Sequence, residues 1–211
     1  MYLIGDIGNT DIKICLFNNK LKLIKKVRFK TNLLNNRYLI KNLNFIKNYQ
    51  LEIKNALICS VVPWAFKKIK KFIDMSIKVN CFELKKLKLN KLLKIKVNKR
   101  QIGSDRLANA ISVIKKKRNF IIIDFGTATN FDVVISDNYI GGILAPGVSL
   151  SLNTLSDKAT LIPKIKLEKI TRVIGKNTTT AIRSGFYHGY SGLIDNIIKM
   201  IIKQTGKSFN I

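Results

Sequence analysis

Two observations predict an α/β protein made of two similar halves. Predicted strands alternate with predicted helices through the first 100 of its 211 residues, which favours sheets covered by helices. A strand-turn-strand pattern also occurs twice, as IGDIGNT around Asp6 and as IIDFGTA around Asp124, 118 residues apart. Repetition of a whole structural plan indicates a duplicated fold. We therefore expect two halves, residues 1–103 and 104–211, with a cleft between them and one turn from each half at that cleft.

Periodicity and turn residues place the elements of the first half. Residues 2–7 and 12–17 are apolar strands on either side of Gly8, Asn9 and Thr10, which predicts a hairpin. Beyond the hairpin, the apolar spacing changes repeatedly between the period of a strand and that of a helix. It predicts strands and helices in alternation over residues 22–31, 33–49, 54–62, 65–75 and 78–84.

The second half begins with a helix and then repeats the hairpin. From Ser104 the apolar residues, as far as Ile114, fall on one helical face. An apolar strand then ends at Asp124, and a turn over residues 126–129 leads to a strand from about Phe131.

Glycines mark the remaining elements of the second half. A Gly-rich bend over residues 141–147 leads to a predicted helix over 148–157, and the last long helix begins at residue 177 or 178. Three small residues, each four apart, form a smooth stripe along that helix: Ala181, Gly185 and Gly189. Glycine inside a helix costs about 1 kcal/mol relative to alanine, which indicates a closely approaching neighbour. A partner helix, such as one from another subunit, is the preferred explanation, and a simple bend is the alternative.

The charge is extreme, because 39 basic residues face 12 acidic ones and the formal net charge is +27. A composition that is 46% hydrophobic is nevertheless that of a chain that folds. A basic surface can bind nucleic acid through its phosphates, which is one functional hypothesis. Residues 20–100 carry 23 basic and 3 acidic side chains, mostly lysines spread over whole elements. Lys, Ile and Asn together make 86 of the 211 residues, so a chain-wide compositional bias explains the charge better than a nucleic-acid partner does.

Other sequence features narrow the class of protein. No apolar run approaches the roughly 18 residues of a membrane span, and the N-terminus lacks the pattern of a signal peptide, so we expect a cytoplasmic protein. Cys15, Cys59 and Cys81 are odd in number and lack metal-site spacing, so we interpret them as small buried apolar side chains. His188, the only histidine, has no metal-like partner nearby and is interpreted as a packing or surface residue.

The candidate chemistry begins with Asp6 and Asp124. Each ends an apolar strand immediately before a Gly-containing turn. A carboxylate there can bind a cation or its water, while turn amides and threonine hydroxyls face an anion. One such turn is ordinary turn chemistry, but a repeated pair provides what a nucleoside triphosphate needs, namely donors around the phosphates and a metal that neutralises charge.

A third motif, GSDR, lies at the start of the predicted helix from residue 104. Asp105 in the first turn of a helix is explained equally by simple capping of the helix dipole. Arg106 gains nothing from that dipole, whereas its planar guanidinium suits a carboxylate or phosphate of a substrate. Asp105 could then accept a proton from an attacking hydroxyl.

These motifs together resemble the type III pantothenate kinases of the actin-like and sugar-kinase superfamily. The matching stretches, in the order and spacing of that family, are residues 6–13, 103–110, 124–134, 141–155 and 174–185. The resemblance implies a duplicated actin-like ATPase fold of the ribonuclease H-like type, with two mixed-sheet halves. It implies phosphorylation of pantothenate by ATP, the first step of coenzyme A synthesis, with Mg2+ and a monovalent cation, K+ or NH4+, in a homodimer.

The resemblance also implies roles for individual positions. It gives the first phosphate turn as Asp6, Ile7, Gly8, Asn9, Thr10, Asp11, Ile12 and Lys13. It makes Asp105 the proton acceptor and implies a pantothenate site formed by Gly103, Ser104, Asp105 and Arg106. Asp124 resembles the ligand of the monovalent cation, Thr127 a residue that contacts ATP, and Thr178 a substrate contact made across the dimer interface.

The resemblance has departures, and it has alternatives. Lys96 and Lys99 stand where the family usually has a tyrosine and a proline. The family also continues past the position of Ile211, so the resemblance implies that the second half is shortened at its C-terminal end. A non-catalytic regulatory relative of the same fold is one alternative function. A basic nucleic-acid-binding protein is the other.

Overall fold

The computed structural model describes residues 1–114 and 118–211, and these residues form two compact units. The first unit comprises residues 1–92 and 98–112, and the second comprises residues 93–97 and 113–211. The boundary predicted between residues 103 and 104 stays a prediction about the duplication. In the structure, the helix that follows Gly103 belongs to the first compact unit.

The first unit is built on a five-stranded mixed sheet. Its strands are β1 (Tyr2–Ile7), β2 (Asp11–Phe17), β3 (Leu23–Lys30), β4 (Asn55–Ser60) and β5 (Cys81–Glu83). Their order is β3-β2-β1-β4-β5, with antiparallel pairing between the first three strands in sequence. β4 pairs parallel with β1, and β5 pairs parallel with β4. Asp6 lies opposite Lys13 of β2 and opposite Cys59 of β4.

Helices cover this sheet. They are α1 (Asn36–Leu43), α2 (Pro63–Ile77) and α3 (Ser104–Ser112), with short 3-10 turns at 31–33, 44–49, 84–86, 89–91 and 99–101. α2 has Pro63 at its start, where the missing amide hydrogen costs no helical hydrogen bond. The core joins the inward face of the sheet, including Ile12 and Ile14, to Ile69 and Ile73 of α2. The opposite face of the strands carries the half-exposed Asp6 and Lys13.

The second unit repeats the antiparallel meander. Its strands are β6 (Lys94–Ile95), β7 (Asn119–Phe125), β8 (Ala128–Ile135) and β9 (Asn138–Pro146), in the order β6-β9-β8-β7. β7, β8 and β9 pair antiparallel, as β1, β2 and β3 do. An isolated parallel bridge joins Asn210 to Phe120 of β7, on the side where β4 pairs with β1 in the first unit.

Two helices complete the second unit. They are α4 (Val148–Lys158) and α5 (Thr178–Thr205). Asn177 caps α5 with a reciprocal pair of hydrogen bonds to Thr180, as its position before a long apolar run predicts. The core lies between one face of the sheet, with Ile121 and Phe131, and Ile201 of α5.

The structure confirms the alternation of strands and helices and differs from the prediction in detail. The stretch 141–147, expected to be a bend, belongs to β9 as far as Pro146. Gly141 lies at a bulge instead, since the register shifts opposite Val133 and Val134 and Gly141 has a φ of +136°. The predicted helix over 33–49 divides into α1 and a 3-10 turn, and α3 ends before Ile114.

Candidate active site

The first predicted phosphate turn is held firmly at its inner side. The Gly8 amide donates to the carbonyl oxygen of Asp11 at 3.0 Å, which closes the turn between β1 and β2. Thr31, just after β3, donates its hydroxyl to the Gly8 carbonyl at 2.7 Å and its amide to the Thr10 carbonyl at 3.0 Å. Because Thr31 is buried while Asn9 and Thr10 are exposed, the turn is anchored from the protein side and presents its outer edge to solvent.

A row of polar side chains leads from this turn across three strands. Lys13 Nζ lies 3.2 Å from Asp6 Oδ2, and both side chains are nearly half exposed, so the ion pair adds little stability. Cys59 follows Asp6 in the row. Burial, together with the smaller effect of the charges of Asp6 and Asp105, raises the pKa of the Cys59 thiol to about 12. Two of the predicted site carboxylates of the first unit, Asp6 and Asp105, are therefore near this thiol.

Asp11 differs from Asp6, although it belongs to the same motif. Its carboxylate accepts a hydrogen bond from Arg28 at 2.7 Å and pairs with Lys30 Nζ at 3.1 Å. These two hydrogen bonds, that from Arg28 first, hold the pKa of Asp11 below its ordinary value. Asp11 thus ties β2 to β3, so its charge is already matched by residues of the sheet.

The GSDR motif forms the start of α3, as predicted. Asp105 Oδ1 accepts a hydrogen bond from the Arg106 amide at 2.8 Å. A Cβ on Gly103 would lie 2.3 Å from that same oxygen, so any side chain at residue 103 would displace the carboxylate. The Ser104 hydroxyl is buried, and no hydrogen-bond partner for it is found in the described part of the chain.

The second predicted turn is one residue shorter than the first but is anchored in a similar way. The Gly126 amide donates to the carbonyl of Ala128, two residues further on, at 3.0 Å, where Gly8 donates to Asp11, three residues further on. Gly147, just after β9, donates its amide to the Thr127 carbonyl at 3.0 Å, as Thr31 does to Thr10. Thr127 is exposed at the tip of this turn, and Asp124 is half-buried at the end of β7.

Gly147 is a sterically constrained position that the sequence analysis did not single out. A Cβ there would lie 2.2 Å from the Gly126 carbonyl oxygen and 2.6 Å from that of Thr127. Only glycine permits this close approach of the backbone to the turn. Gly147 is also the N-cap of α4, so its hydrogen bond to Thr127 joins the turn directly to the start of that helix, where no described side chain forms a cap.

The predicted residues therefore fall into two groups. Asp6 to Lys13 and Gly103 to Arg106 lie in the first unit, whereas Asp124, Thr127 and Thr178 lie in the second. Thr178 is the exposed first residue of α5. His188 is half-buried on the same helix and packs edge-on against Tyr187. Of the cysteines, Cys81 is buried, whereas Cys15 and Cys59 are only half-buried.

Comparison with known proteins agrees with these motifs. The family model described as type III pantothenate kinase matches residues 2–200. The chain belongs to that family. A type III pantothenate kinase from Pelagibacter ubique (strain HTCC1062) is 57% identical over 211 residues, which cover all of this chain and 85% of that protein. Another type III pantothenate kinase, from Sulfurihydrogenibium sp. (strain YO3AOP1), is 36% identical over 222 aligned residues, which cover all of this chain and 86% of that protein.

A solved structure supports the fold of this type III pantothenate kinase. A conserved Campylobacter jejuni protein assigned to the Baf family of transcriptional activators superposes with a TM-score of 0.53. The match covers 92% of this chain and 78% of that one at 17% sequence identity, so it shows the fold alone. The expected duplicated α/β fold with two mixed sheets is confirmed by the two meanders and by this likeness.

The side chains of this type III pantothenate kinase limit which ligands a bound cation could have. Within residues 1–114 and 118–211, no three His, Cys, Asp or Glu side chains are grouped so that they could hold a metal ion. A cation at Asp6 or Asp124 would therefore need phosphate oxygens, carbonyl oxygens or water as its further ligands, which is how Mg2+ commonly binds at phosphates.

None of the described helices is long and apolar enough to span a bilayer.

Proposed function

We propose that this type III pantothenate kinase transfers the γ-phosphoryl group of ATP to the terminal hydroxyl of pantothenate, giving 4'-phosphopantothenate and ADP, the first step of coenzyme A synthesis. The observation that carries the proposal is the anchored turn that occurs in each of the two units, with backbone amides and threonine hydroxyls of the kind that bind phosphate. In each unit, the residue after the third strand of the meander donates its amide to the turn. Phosphoryl transfer depends mainly on such positioning.

The first unit supplies the acceptor side of the reaction. Gly103 to Arg106 bind pantothenate, with the Arg106 guanidinium suited to its carboxylate. Asp105 accepts the proton of the attacking hydroxyl as the new oxygen–phosphorus bond forms and the bond from the γ-phosphorus to the bridging oxygen breaks. The hydrogen bond from the Arg106 amide fixes Asp105 Oδ1, which leaves Oδ2 for the proton.

The two turns supply the donor side. The outer edge of residues 8–10, together with Lys13, faces the phosphates in the first unit, and Thr127 does so in the second. Asp6 and Asp124 hold corresponding positions before the two turns and are the proposed cation ligands, Asp6 for Mg2+ and Asp124 for K+ or NH4+. Bound Mg2+ would neutralise charge that develops on the phosphoryl oxygens. A single carboxylate with shared ligands fits such ions, since the described residues offer no larger cluster.

We infer that the enzyme acts as a homodimer through α5. The stripe of Ala181, Gly185 and Gly189 is exposed, and no described side chain or distant backbone comes within 4 Å of a Cβ built at either glycine. At Ala181 the close neighbour is Gly175 of the same chain, because a Cβ built at Gly175 would lie 2.2 Å from the Ala181 amide nitrogen; at Gly185 and Gly189 the described part of this chain supplies none. A second copy of α5 would supply one there, and the exposed Thr178 at the start of the same helix would then reach the partner's substrate.

The test of the function is Asp105→Asn in a coupled kinase assay with pantothenate, ATP, Mg2+ and K+. Removal of a general base lowers kcat by about 100-fold or more, while the KM for ATP changes little. Asparagine keeps the oxygen that accepts from the Arg106 amide, so the melting temperature should stay close to that of the wild type. Asp74→Asn is the matched control, because Asp74 lies on α2 in an exposed pair with Lys70. Unchanged turnover in Asp105→Asn would contradict the assigned role.

A further inference from the structure

The hydroxyl of Tyr190 joins α5 to both sides of the second turn. It lies 2.6 Å from Thr129 Oγ1 and donates a hydrogen bond to the Pro146 carbonyl oxygen. A carbonyl can only accept, so the single proton of the Tyr190 hydroxyl is used there. The Thr129 hydroxyl must then donate to Tyr190. The result is a directed chain from Thr129 through Tyr190 to Pro146.

The two partners of Tyr190 lie where the chain leaves the turn and where it returns. Thr129 is the second residue of β8 and is completely buried. Pro146 is the last residue of β9 and pairs with Ala128 across the sheet. The next residue, Gly147, donates its amide to Thr127. The chain of hydroxyls therefore fixes the spacing between the segment that follows Thr127 and the segment that contacts it.

We propose that Tyr190 is a positioning residue for the nucleotide-binding turn that carries Thr127; this rests on the function proposed above. The first unit offers a direct comparison. There, Thr31 contributes both the backbone and the hydroxyl bond to the turn. In the second unit the corresponding residue is Gly147, which has no side chain because none fits. The hydroxyl comes instead from Tyr190, so the position of the turn depends on how α5 packs in the second unit.

Tyr190→Phe removes the hydroxyl and keeps the ring. Loss of the bridge, with a buried Thr129 hydroxyl left without this acceptor, should raise the KM for ATP by about fivefold to tenfold. The KM for pantothenate should stay within about twofold, because the hydrogen bonds of Tyr190 go to Thr129 and Pro146 and to none of the proposed pantothenate residues 103–106. Tyr187→Phe is the matched control. It is one turn earlier on α5, and no hydrogen bond of its hydroxyl is found among the described residues.

Two further variants separate positioning from general stability. Thr129→Ser keeps a hydroxyl for Tyr190 and should retain the ATP KM of the wild type, whereas Thr129→Val should resemble Tyr190→Phe. If Tyr190 acts through Thr129, the double variant Thr129→Val with Tyr190→Phe raises the ATP KM less than the product of the two single effects. An ATP KM for Tyr190→Phe equal to that of Tyr187→Phe would overturn the proposal. A parallel rise of both KM values with a lower melting temperature would also overturn it, since that marks a role in folding only.

Direct nucleotide binding distinguishes failure of this inference from failure of the proposed function. ATP affinity is measured by equilibrium titration of the wild type and of Tyr190→Phe, without pantothenate. If pantothenate is not phosphorylated but Tyr190→Phe still weakens ATP binding by fivefold or more, the function is wrong and the positioning role stands. If pantothenate is phosphorylated and ATP binds both proteins equally, the function stands and the positioning role is wrong. Absence of ATP binding by the wild type would overturn both.

Discussion

Replacement of Gly147 by alanine should disable the nucleotide side of the site while the protein stays folded. The added Cβ would lie 2.2 Å from the Gly126 carbonyl oxygen and 2.6 Å from the Thr127 carbonyl oxygen. Both atoms are backbone, so no change of rotamer relieves the contact. Restoring van der Waals separation requires a displacement of about 1 Å, either of the turn or of the start of α4. A misplacement of that size near reacting groups costs about 100-fold in rate.

Steady-state kinetics with ATP as the varied substrate measures this effect. We expect kcat/KM for ATP to fall by about 100-fold, with a loss of stability of about 1–3 kcal/mol from overpacking. Gly192→Ala is the control, because no described side chain or distant backbone lies within 4 Å of a Cβ built at that glycine of α5. It should keep its activity and gain up to about 1 kcal/mol of helix stability. A wild-type value of kcat/KM for ATP in Gly147→Ala would show that the turn accommodates the added Cβ, which contradicts this reasoning.

Two other changes test the first unit. Thr31→Val removes the hydroxyl that donates to the Gly8 carbonyl, so the KM for ATP should rise about fivefold. Thr31→Ser keeps a hydroxyl and should have an ATP KM near that of the wild type. Equal ATP KM values in the two variants would show that the turn does not need this hydrogen bond. The pKa of Cys59 is raised to about 12, so an unfolded chain ionises this thiol near pH 9 while the folded protein keeps it neutral. The free energy of unfolding should therefore fall as the pH rises from 9 toward 12. Urea titrations over this pH range should show a smaller fall for Cys59→Ser than for the wild type. An identical fall in the two proteins would mean that this thiol is not responsible.

The sequence predicted the hairpins well because their signals are local. Glycine and small polar residues between two apolar runs determine a tight turn, and alternation of side chains determines which face is buried. The same signals were misleading within the predicted bend at 141–147, where residues 141–146 contain two glycines and a proline, which are typical of a bend. Their use in β9 depends on pairing with β8, which lies earlier in the chain, and on a bulge that only the assembled sheet requires.

The anchors of the two turns could not be predicted because their contacts are distant in sequence. Thr31 is 23 residues from Gly8, and Tyr190 is 61 residues from Thr129. A single threonine or tyrosine between motifs has no spacing that marks it. Gly147 was visible as part of a Gly-rich stretch, but its role follows from the approach of two backbone segments. Sequence motifs thus indicated the groups that face the ligand, whereas the supporting contacts appeared only in the fold.

The scarcity of acidic residues bears directly on the choice of the proton acceptor. With 39 basic and 12 acidic side chains, a carboxylate in this protein has many cations available to it. Asp6 pairs with Lys13, and Asp11 pairs with both Arg28 and Lys30. A cation bound to a carboxylate competes with a proton for the same oxygen, so such carboxylates suit charge balance at phosphates better than proton transfer. Asp105 has no ion pair among the described residues, and its one described hydrogen bond comes from a backbone amide. In a chain so rich in lysine, a motif carboxylate without a described ion pair is the one that we propose as the proton acceptor.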